Sequence, residues 1–380
     1  MQLTSAVLAA ALAASVISAP VRKTSSIEVS LSKRGFLSRI KDRHGRVNYP
    51  GLHKEIAYLK YKYHKSLENY KRNNQGEAHP FDRRSEHAAR GSGAVSLQDV
   101  SNQELWVGAA SFGGQSIQFD FDTGSAGTIC NAGAYSPGSS ARNTGTTFHD
   151  SYGDGTTASG EVYTDILSIG GLNADGATIG LATQQFVSDP DQGIAGMGFP
   201  SLASFQQRTP LFYSLINAGV LDEHAFIFRL STGDSTLTLG QTDSKVNFTP
   251  VTHAAYWSIS GAINGKSING IIDSGTTLIV APTNEAQSLF DSLGLQSSSS
   301  SGQLTATYDC SKPPSVIFTF SGASIRLGKY TAYGTDDNGN CVLSIVGADI
   351  GSAGWIIGDP LFLSSGEVVF DVANKQVGFA

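Results

Sequence analysis

The chain is poor in charged residues and in cysteine. Only 15% of its 380 residues are charged, well below the roughly 25% usual for globular proteins. Its three cysteines allow at most one intramolecular disulfide and leave one thiol over. No Cys and His spacing suits zinc, and there is no His-Glu-x-x-His motif. The sequence also lacks an apolar run of about 20 residues, the length a membrane-spanning helix needs. A zinc enzyme and a membrane-spanning protein are therefore not expected.

The apolar run that is present covers residues 5–19 and stops before Pro20. It ends in small residues and a polar, charged stretch follows at once, which favours a secretory signal peptide over residues 1–19 rather than a buried core helix. One departure is that no Lys or Arg precedes the run. The C-terminus carries no apolar tail of the kind that precedes a lipid anchor. We expect a secreted, extracellular protein without a membrane partner.

Charge divides the rest of the chain. Residues 20–90 contain 17 Lys and Arg against 7 Asp and Glu, whereas residues 91–380 contain 9 against 25. A basic segment of this length is also compatible with a nucleic-acid arm or a membrane-surface helix. Because it follows a signal peptide and precedes an acidic region, its nearest opposite charge is its own chain. We interpret residues 20–90 as a propeptide that acid releases by protonating its carboxylate partners, and expect no nucleic-acid partner.

Two regions of the propeptide have distinct patterns. Residues 49–72 carry apolar side chains at helical spacing among alternating charges, which predicts an amphipathic helix. Residues 75–93 are polar, contain the dibasic pair Arg83-Arg84 and end in Gly-Ser-Gly, which is typical of an exposed linker suited to cleavage. The mature protein is expected to begin between residues 85 and 95.

The region after the propeptide is predicted to be mostly β. Short alternating runs, such as residues 116–121, 160–169 and 236–239, are bounded by Gly, Asp and Asn. Helical stretches are few and short; residues 284–293 are one of them.

One pair of motifs occurs twice in this β region. The sequence FDFDTGS at residues 119–125 returns in kind as IIDSGTT at residues 271–277. Each copy is followed by two apolar residues and a glycine, at residues 194–196 and 356–358. Two halves with the same motifs in the same order indicate a duplicated lobe, whose pseudo-twofold axis would bring the two aspartates together.

Asp122 and Asp273 are the candidates for catalysis. A single Asp-Thr/Ser-Gly motif is also an ordinary turn, but its chance expectation is only roughly 0.02 per chain of this length, and here it is duplicated. Two carboxyls a few Å apart cannot comfortably both ionise, so they share a proton. One then acts as a base on water and the other as an acid toward a carbonyl oxygen. This chemistry predicts hydrolysis in acid.

These motifs resemble those of the pepsin family of aspartic proteases, particularly its fungal secreted members, from the prosegment to the last residue. The resemblance implies a mostly β, bilobal acid protease fold with pseudo-twofold lobes and an active-site cleft between them. It also implies a monomeric endopeptidase that acts on proteins and peptides, uses no cofactor or metal, and is inhibited by its own propeptide. The N-terminal lobe would cover residues 91–245 and the C-terminal lobe residues 246–380.

The resemblance assigns supporting roles around the dyad to six motif residues: Thr123, Gly124, Ser125, Ser274, Gly275 and Thr276. Ser125 and Thr276 resemble the hydroxyls that bond the outer carboxylate oxygens. Thr123 and Ser274 resemble the pair that braces the two loops at the axis.

The resemblance also pairs Cys310 with Cys341 in a disulfide of the second lobe. Cys130 is then left over, and we expect it to be a buried apolar filler rather than a reactive thiol. The sequon at Asn247 is followed by Pro250, and its use stays open.

Residues 152–155 are typical of a hairpin turn and resemble the flap that closes over substrate, with Tyr152 packing on the residue before the cleaved bond. Gly153 and Asp154 belong to this turn, and Asp154 resembles an acidic residue that lets some fungal members accept Lys at that substrate position. Ile129 stands where the family usually has a Trp that bonds the flap tyrosine. Either another donor replaces that Trp or the flap is more mobile.

Two Lys-Tyr pairs of the prosegment, Lys60-Tyr61 and Lys62-Tyr63, resemble the element by which family zymogens neutralise the dyad. The alternative is that these lysines are solvated helix charges. The pattern does not choose between the two pairs.

Two other function classes are considered. A catalytically inactive binding protein of the same fold would have lost an aspartate or the flap, and this chain has both aspartates and the flap tyrosine, Tyr152. A glycosidase needs a pyranose-sized cleft with aromatic platforms and shows no such duplication. Hydrolysis of denatured haemoglobin in acid, blocked by pepstatin and absent in Asp122→Asn, would separate the three.

Overall fold

A computed structural model describes residues 40–42, 44–73, 92–99, 106–151, 157–187, 191–205, 209–243, 245–253 and 255–380. Strands dominate this part of the chain, as the sequence predicts. The strands of the first half are β1 (Gly93–Asp99), β2 (Trp106–Phe112), β3 (Gln115–Asp122), β4 (Thr128–Cys130), β5 (Arg142–Ser151), β6 (Thr157–Ile169), β7 (Leu172–Ala182), β8 (Gly193–Gly196), β9 (Ala225–Arg229) and β10 (Ser235–Leu239).

The second half contributes fourteen further strands among the described residues. They are β11 (Asn247–His253), β12 (Ser258–Ile263), β13 (Lys266–Ile272), β14 (Ile279–Ala281), β15 (Gln296–Ser300), β16 (Gln303–Tyr308), β17 (Ile317–Phe320), β18 (Ala323–Arg326), β19 (Ala332–Thr335), β20 (Cys341–Leu343), β21 (Ile345–Gly347), β22 (Trp355–Ile357), β23 (Val368–Asp371) and β24 (Gln376–Phe379). The helices are α1 (Tyr49–Asn73), α2 (Leu211–Asn217), α3 (Thr283–Ser292) and α4 (Asp359–Ser364), with short 3₁₀ helices at Pro200–Leu202, Gly328–Thr331 and Gly351–Ala353.

Each half forms its own sheet, and a third sheet is shared between them. In the shared sheet the antiparallel order is β1, β10, β9, β23, β24, β11. The first three of these strands come from the first half of the chain and the last three from the second. The two lobes are therefore joined by a continuous backbone ladder.

A packed aromatic core supports the shared sheet. The Phe226 and Phe370 rings stack with centroids 4.9 Å apart, and the Trp257 ring meets Phe370 edge-on at 5.1 Å. Such ring pairs add packing energy beyond the apolar area they bury. All three tryptophans of the chain, Trp106, Trp257 and Trp355, are at most 4% exposed.

The duplicated motifs form the same substructure in both lobes. In the first lobe β3 pairs in parallel with β8, and in the second β13 pairs in parallel with β22. The two apolar-apolar-Gly segments are thus the parallel neighbours of the two strands that lead to the aspartates. Glycine is needed there because a Cβ on Gly196 or Gly358 would collide with the backbone of Ala126 or Thr276, respectively. Two equivalent strand tips result, and they face each other.

Helix α1 lies across both lobes. It matches the helix predicted for residues 49–72 and buries Ile56, Leu59 and Tyr63 of the expected apolar face, whereas Leu67 of that face is only partly buried. It contacts the 3₁₀ helix Pro200–Leu202 of the first lobe and the 3₁₀ helix Gly351–Ala353 of the second. Among the described residues, no helix combines the length and the apolar character needed to cross a bilayer.

Candidate active site

Asp122 and Asp273 meet at the two strand tips. Asp122 ends β3 and Asp273 follows β13, and both are at most 1% exposed. The amide of Gly124 donates to Asp122 Oδ1 over 2.9 Å, and the amide of Gly275 donates to Asp273 Oδ1 over 3.0 Å. A Cβ on Gly124 would lie 2.5 Å from both carboxylate oxygens of Asp273, and a Cβ on Gly275 would collide with Asp122. The absence of a side chain on the glycine of each loop therefore leaves the space that the carboxyl of the opposite loop occupies.

Thr123 and Ser274 join the two loops reciprocally. Thr123 Oγ1 donates to the carbonyl of Ile272 (2.8 Å) and accepts from the amide of Ser274 (2.9 Å). Ser274 Oγ donates to the carbonyl of Phe121 (2.7 Å) and accepts from the amide of Thr123 (3.1 Å). These contacts match the bracing that the resemblance implies for this pair. Because all partners are buried, they fix the two strand tips against each other.

The two outer hydroxyls differ in this structure. Thr276 Oγ1 donates to Asp273 Oδ2 over 2.6 Å. Ser125 Oγ has no hydrogen-bond partner among the described residues, and neither has Asp122 Oδ2. The expected contact of Ser125 is therefore not formed while the prosegment occupies the site.

Lys62 of α1 is inserted between the two carboxyls. Its Nζ lies 2.8 Å from Asp122 Oδ1, and 3.1 and 3.0 Å from the two carboxylate oxygens of Asp273. Tyr63 OH donates to Asp273 Oδ2 over 2.7 Å. Lys60 is exposed. Of the two Lys-Tyr pairs, the second is the one that reaches the dyad.

Burial and the Lys62 charge set the protonation of this cluster. Burial pushes the pKa of Asp273 up, but Lys62 and the hydroxyls of Thr276 and Tyr63 outweigh it and hold that pKa below its ordinary value. Burial raises the pKa of Asp122, and Lys62 offsets this only in part. Although burial alone would lower the pKa of Lys62, the two carboxylates raise it. An ammonium ion beside an ionised Asp273 is thus the favoured state.

A hydrogen-bonded chain behind Asp122 was not predicted from the sequence. The amide of Met197 donates to the Asp122 carbonyl over 2.8 Å. Trp257 Nε1, from the second half of the chain, donates to the Met197 carbonyl over 3.1 Å. The sequence gives no local signal for this link, because its ends are distant along the chain.

The far end of α1 is anchored by amide side chains that were likewise not predicted. Asn73 Nδ2 donates to the carbonyl of Ala203 (2.8 Å), and Asn69 Nδ2 donates to the carbonyl of Leu202 (3.3 Å). Tyr256 adds a contact nearer the dyad, where its hydroxyl donates to the carbonyl of Tyr63 over 3.3 Å. From the sequence alone, an Asn at these helix positions cannot be told from a solvent-exposed Asn, because its partners lie in another part of the chain.

The turn that contains Tyr152, Gly153 and Asp154 lies outside the described residues. Ile129 is buried in a cluster with Phe148, Ile194 and Phe205. It also lines a pocket between α1 and the first lobe, together with Ser125, Ala126 and Ile194. A pocket with apolar residues on the side of the first lobe, and with Lys62, Lys65 and Asn69 on the side of α1, thus adjoins the dyad.

Cys310 and Cys341 form a disulfide, as the resemblance implies. Cys130 is fully buried, its Sγ lies 3.5 Å from the Gly180 carbonyl, and burial raises the pKa of its thiol to about 12. Such a thiol is a packing group. Asn247 is exposed at the start of β11.

Comparisons with known proteins agree with this geometry. The sequence profile of the family Eukaryotic aspartyl protease matches residues 103–380. The chain is 38% identical to Secreted aspartyl protease 1 of Malassezia globosa, over 94% of this chain and 93% of that protein. It is 38% identical to Aspartic protease of Phaffia rhodozyma, over 77% and 80% of the two chains. It is 28% identical to Penicillopepsin-1 of Penicillium janthinellum, over 76% of this chain and 98% of that protein.

Proposed function

The chain belongs to the eukaryotic aspartyl protease family and is an aspartic endopeptidase acting on proteins and peptides, and on that premise we propose that Asp122 and Asp273 are its catalytic dyad and that residues 40–73 hold it inactive. The observation that carries the proposal is the single ammonium group of Lys62, which lies within 3.1 Å of both carboxyls. One ammonium group can bond both carboxyls only if the two carboxyls lie side by side, as a catalytic dyad requires.

Once Lys62 leaves, two buried carboxyls remain beside each other without a counter-charge. Their repulsion in a desolvated site makes them retain one proton between them. The ionised member takes a proton from a water molecule held between them, while the protonated member hydrogen-bonds the carbonyl oxygen of the substrate. The water oxygen attacks the carbonyl carbon directly, so no covalent acyl-enzyme forms. Activity requires the retained proton and is therefore greatest in acid.

The prosegment blocks this chemistry in two ways. The Lys62 ammonium occupies the place of the water and the carbonyl oxygen, and the body of α1 covers the cleft from one lobe to the other. The net positive charge of residues 20–90 is attracted to the net negative charge of residues 91–380. Its binding is thus both local, at the dyad, and spread over the surface.

Processing and export complete the proposal. Residues 1–19 would direct secretion and residues 20–90 would be the propeptide. A cut near Arg83-Arg84 would remove the prosegment. The mature enzyme would be a monomer whose two lobes are residues 91–245 and 246–380. Residues 1–39 and 74–91 lie outside the described part of the chain. A relative named as secreted and the signal-like apolar run support export. N-terminal sequencing and size-exclusion chromatography of the protein recovered from the medium test these points together.

The test of the dyad is hydrolysis of denatured haemoglobin in acid. Asp122→Asn and Asp273→Asn should each abolish hydrolysis, because one carboxyl cannot be base and acid at once. Asp371→Asn is the matched control: Asp371 is also buried, but it bonds Asn374 and Gln376 in the shared sheet. Full activity in either dyad variant would refute the assignment, as would an equal loss in Asp371→Asn variants that remain folded.

A further inference from the structure

The part of the prosegment before α1 folds as a small hairpin on the second lobe. In this pro-hairpin, residues 40–42 and 44–48, Lys41 pairs with Val47 and the amide of Asn48 donates to the carbonyl of Ile40 over 2.7 Å. The hairpin lies against β19, whose other side pairs with β20. The prosegment thus forms a parallel β-bridge, between Arg46 and Thr335, with the edge of a sheet in the mature region.

The pro-hairpin is bonded through the backbone of Thr335. The amide of Val47 donates to the Thr335 carbonyl over 2.8 Å, and the amide of Thr335 donates to the Gly45 carbonyl over 3.1 Å. Both backbone groups of Thr335 therefore point away from β20. When the prosegment leaves, one donor and one acceptor remain on this edge, and an unpaired edge is a template for another extended chain.

Gly334 adapts the edge to a close-lying strand. The three atoms nearest to a Cβ on this glycine all belong to the prosegment, at 2.9 Å (the Gly45 carbonyl oxygen), 3.1 Å (Val47 Cγ2) and 3.6 Å (Lys41 Cγ). Its φ lies outside the left-handed region, so its backbone conformation does not demand glycine. The missing side chain makes room for a partner strand.

Two features beside the edge recognise side chains. Ile40 is 2% exposed in a buried cluster with Tyr333, and it lines a small pocket together with Thr277, Tyr330, Pro360 and Leu363; this cluster and its pocket are called the Ile40 pocket. Thr277 follows the residue whose hydroxyl bonds Asp273, so this pocket extends from the dyad loop toward β19. At the other end, the carboxylate of Asp337 is 91% exposed and lies 3.7 Å from the Arg46 guanidinium.

We propose that the outer edge of β19 is a docking site that the mature enzyme uses for an extended segment of a protein substrate outside the cleft. The segment pairs with Thr335, places an apolar side chain in the Ile40 pocket and a basic side chain beside Asp337. The inference rests on the proposed function, because the site is open only after the prosegment has left.

The length of α1 sets the distance between the edge and the dyad. Lys62 is 13 residues beyond Tyr49, the first residue of α1, or about 20 Å along a helix axis. An extended chain covers this distance with about six residues. A peptide that reaches both the dyad and β19 must therefore extend at least about six residues from the cleaved bond.

The experiment compares peptide substrates on activated, mature enzyme. A short core peptide is compared with the same core extended by about ten residues, either at the amino or at the carboxyl end. Each extension contains an apolar residue and a Lys, and a matched version of it has Glu in place of the Lys. We expect one of the two Lys extensions to lower KM about threefold to tenfold at unchanged kcat, as two hydrogen bonds and an exposed ion pair would. The Glu extension should gain less.

Variants assign the gain to the edge. Gly334→Ala and Thr335→Pro should abolish it, the first by steric exclusion and the second by removing the outward amide; Asp337→Asn should reduce the preference for Lys over Glu. Gly138→Ala, where a Cβ meets nothing within 4 Å, and Asp222→Asn, an exposed acid of the first lobe, are the controls. The proposal is overturned if neither extension lowers KM, or if the gain survives in both edge variants. Failure of wild-type enzyme to cleave the core peptide would instead refute the proposed function.

Discussion

At the scale of single residues, Lys62 determines when the dyad becomes available. Asp273 has a lowered pKa, so its contribution to prosegment binding is present above the ordinary aspartate pKa of about 4 and is lost only as the pH falls through the lowered value. The ion pair therefore survives into moderate acid. Protonation of Asp273 as the pH falls removes this contribution and weakens the hold on the helix.

Lys62→Met should raise the pH at which half of the zymogen is converted. Methionine has an unbranched side chain one atom shorter than that of lysine, but two buried carboxyls lose their counter-charge, which costs prosegment binding about 3 kcal/mol or more. Conversion is followed by electrophoresis across a pH series. Lys60→Met is the control, since Lys60 is exposed. An unchanged midpoint in Lys62→Met, or an equal shift in the control, would contradict the role given to Lys62.

Trp257 is predicted to position Asp122 through Met197. Trp257→Phe keeps a ring in the core but removes the bond to the Met197 carbonyl, whereas Trp355→Phe removes a bond to Glu285 within one lobe. Both variants should lose about 1 to 2 kcal/mol of stability. Only Trp257→Phe should also lower kcat and displace the pH-rate profile, because only its bond leads to the dyad. Superimposable profiles for the two variants would leave Trp257 a merely structural role.

Local sequence carries much of the site at this scale. Asp122 and Asp273 could be named because their motif occurs twice, and Thr123 and Ser274 because the family resemblance assigns them a role beside the dyad. The choice of Lys62 over Lys60 could not, because the orientation of α1 depends on packing against both lobes. The chain from Trp257 to Asp122 depends on tertiary contacts alone.

At the scale of secondary structure, α1 depends on its C-terminal half for anchoring. Asn69→Ala combined with Asn73→Ala removes bonds to backbone carbonyls of residues 202 and 203 while favouring the helix itself. We expect zymogen conversion at least about tenfold faster at a given pH, since each lost bond is worth about 1 kcal/mol. Lys71→Ala, at an exposed position of the last turn, should convert like the wild type. Equal rates for all three proteins would show that the dyad contact alone retains the helix.

The disulfide fixes the β19–β20 region. Cys310 and Cys341 close a loop with a sequence separation of 31, for which loop entropy predicts roughly 3 to 4 kcal/mol. The double variant Cys310→Ala/Cys341→Ala should denature at a lower urea concentration than the wild type. A reductant should lower the midpoint of the wild type and not that of the variant; a reductant effect on both proteins would point to another cause.

The predictability of elements follows their length and patterning. Helix α1 and strands such as β10 match the expected ranges within a residue or two, because their apolar residues repeat at the right period. The three-residue strands β4, β14, β20, β21 and β22 have too few residues to show a period. Strand β15 is formed largely by exposed serines, which have little strand preference; its pairing with β16 creates it.

At the scale of the whole molecule, the opposed charges of prosegment and lobes should make inhibition sensitive to salt. A peptide of residues 20–90 added to mature enzyme should inhibit it, with an inhibition constant that rises about tenfold or more between about 0.05 and about 1 M NaCl at fixed pH. The buried Lys62 contact is screened much less, so inhibition should persist at the highest salt. A salt-independent constant would show that the surface charges do not contribute.

The duplication is what allowed the overall fold to be predicted. Two copies of one motif pair require two similar substructures and an axis between them, and the parallel pairs β3–β8 and β13–β22 are those substructures. The shared sheet was not predicted, because three of its strand pairs, β1–β10, β9–β23 and β11–β24, join segments that are far apart in the sequence. Distant pairing of this kind leaves no local pattern.

The burial of all three tryptophans has a spectroscopic consequence. None lies in the prosegment, whereas five of the 13 tyrosines do, at residues 49, 58, 61, 63 and 70. Indole emission should therefore be blue-shifted and should report unfolding of the lobes, with Trp257 sensitive to their separation. Loss of the prosegment should appear instead as a fall in the tyrosine contribution to absorbance and emission, so a single sample can report activation and denaturation at different wavelengths.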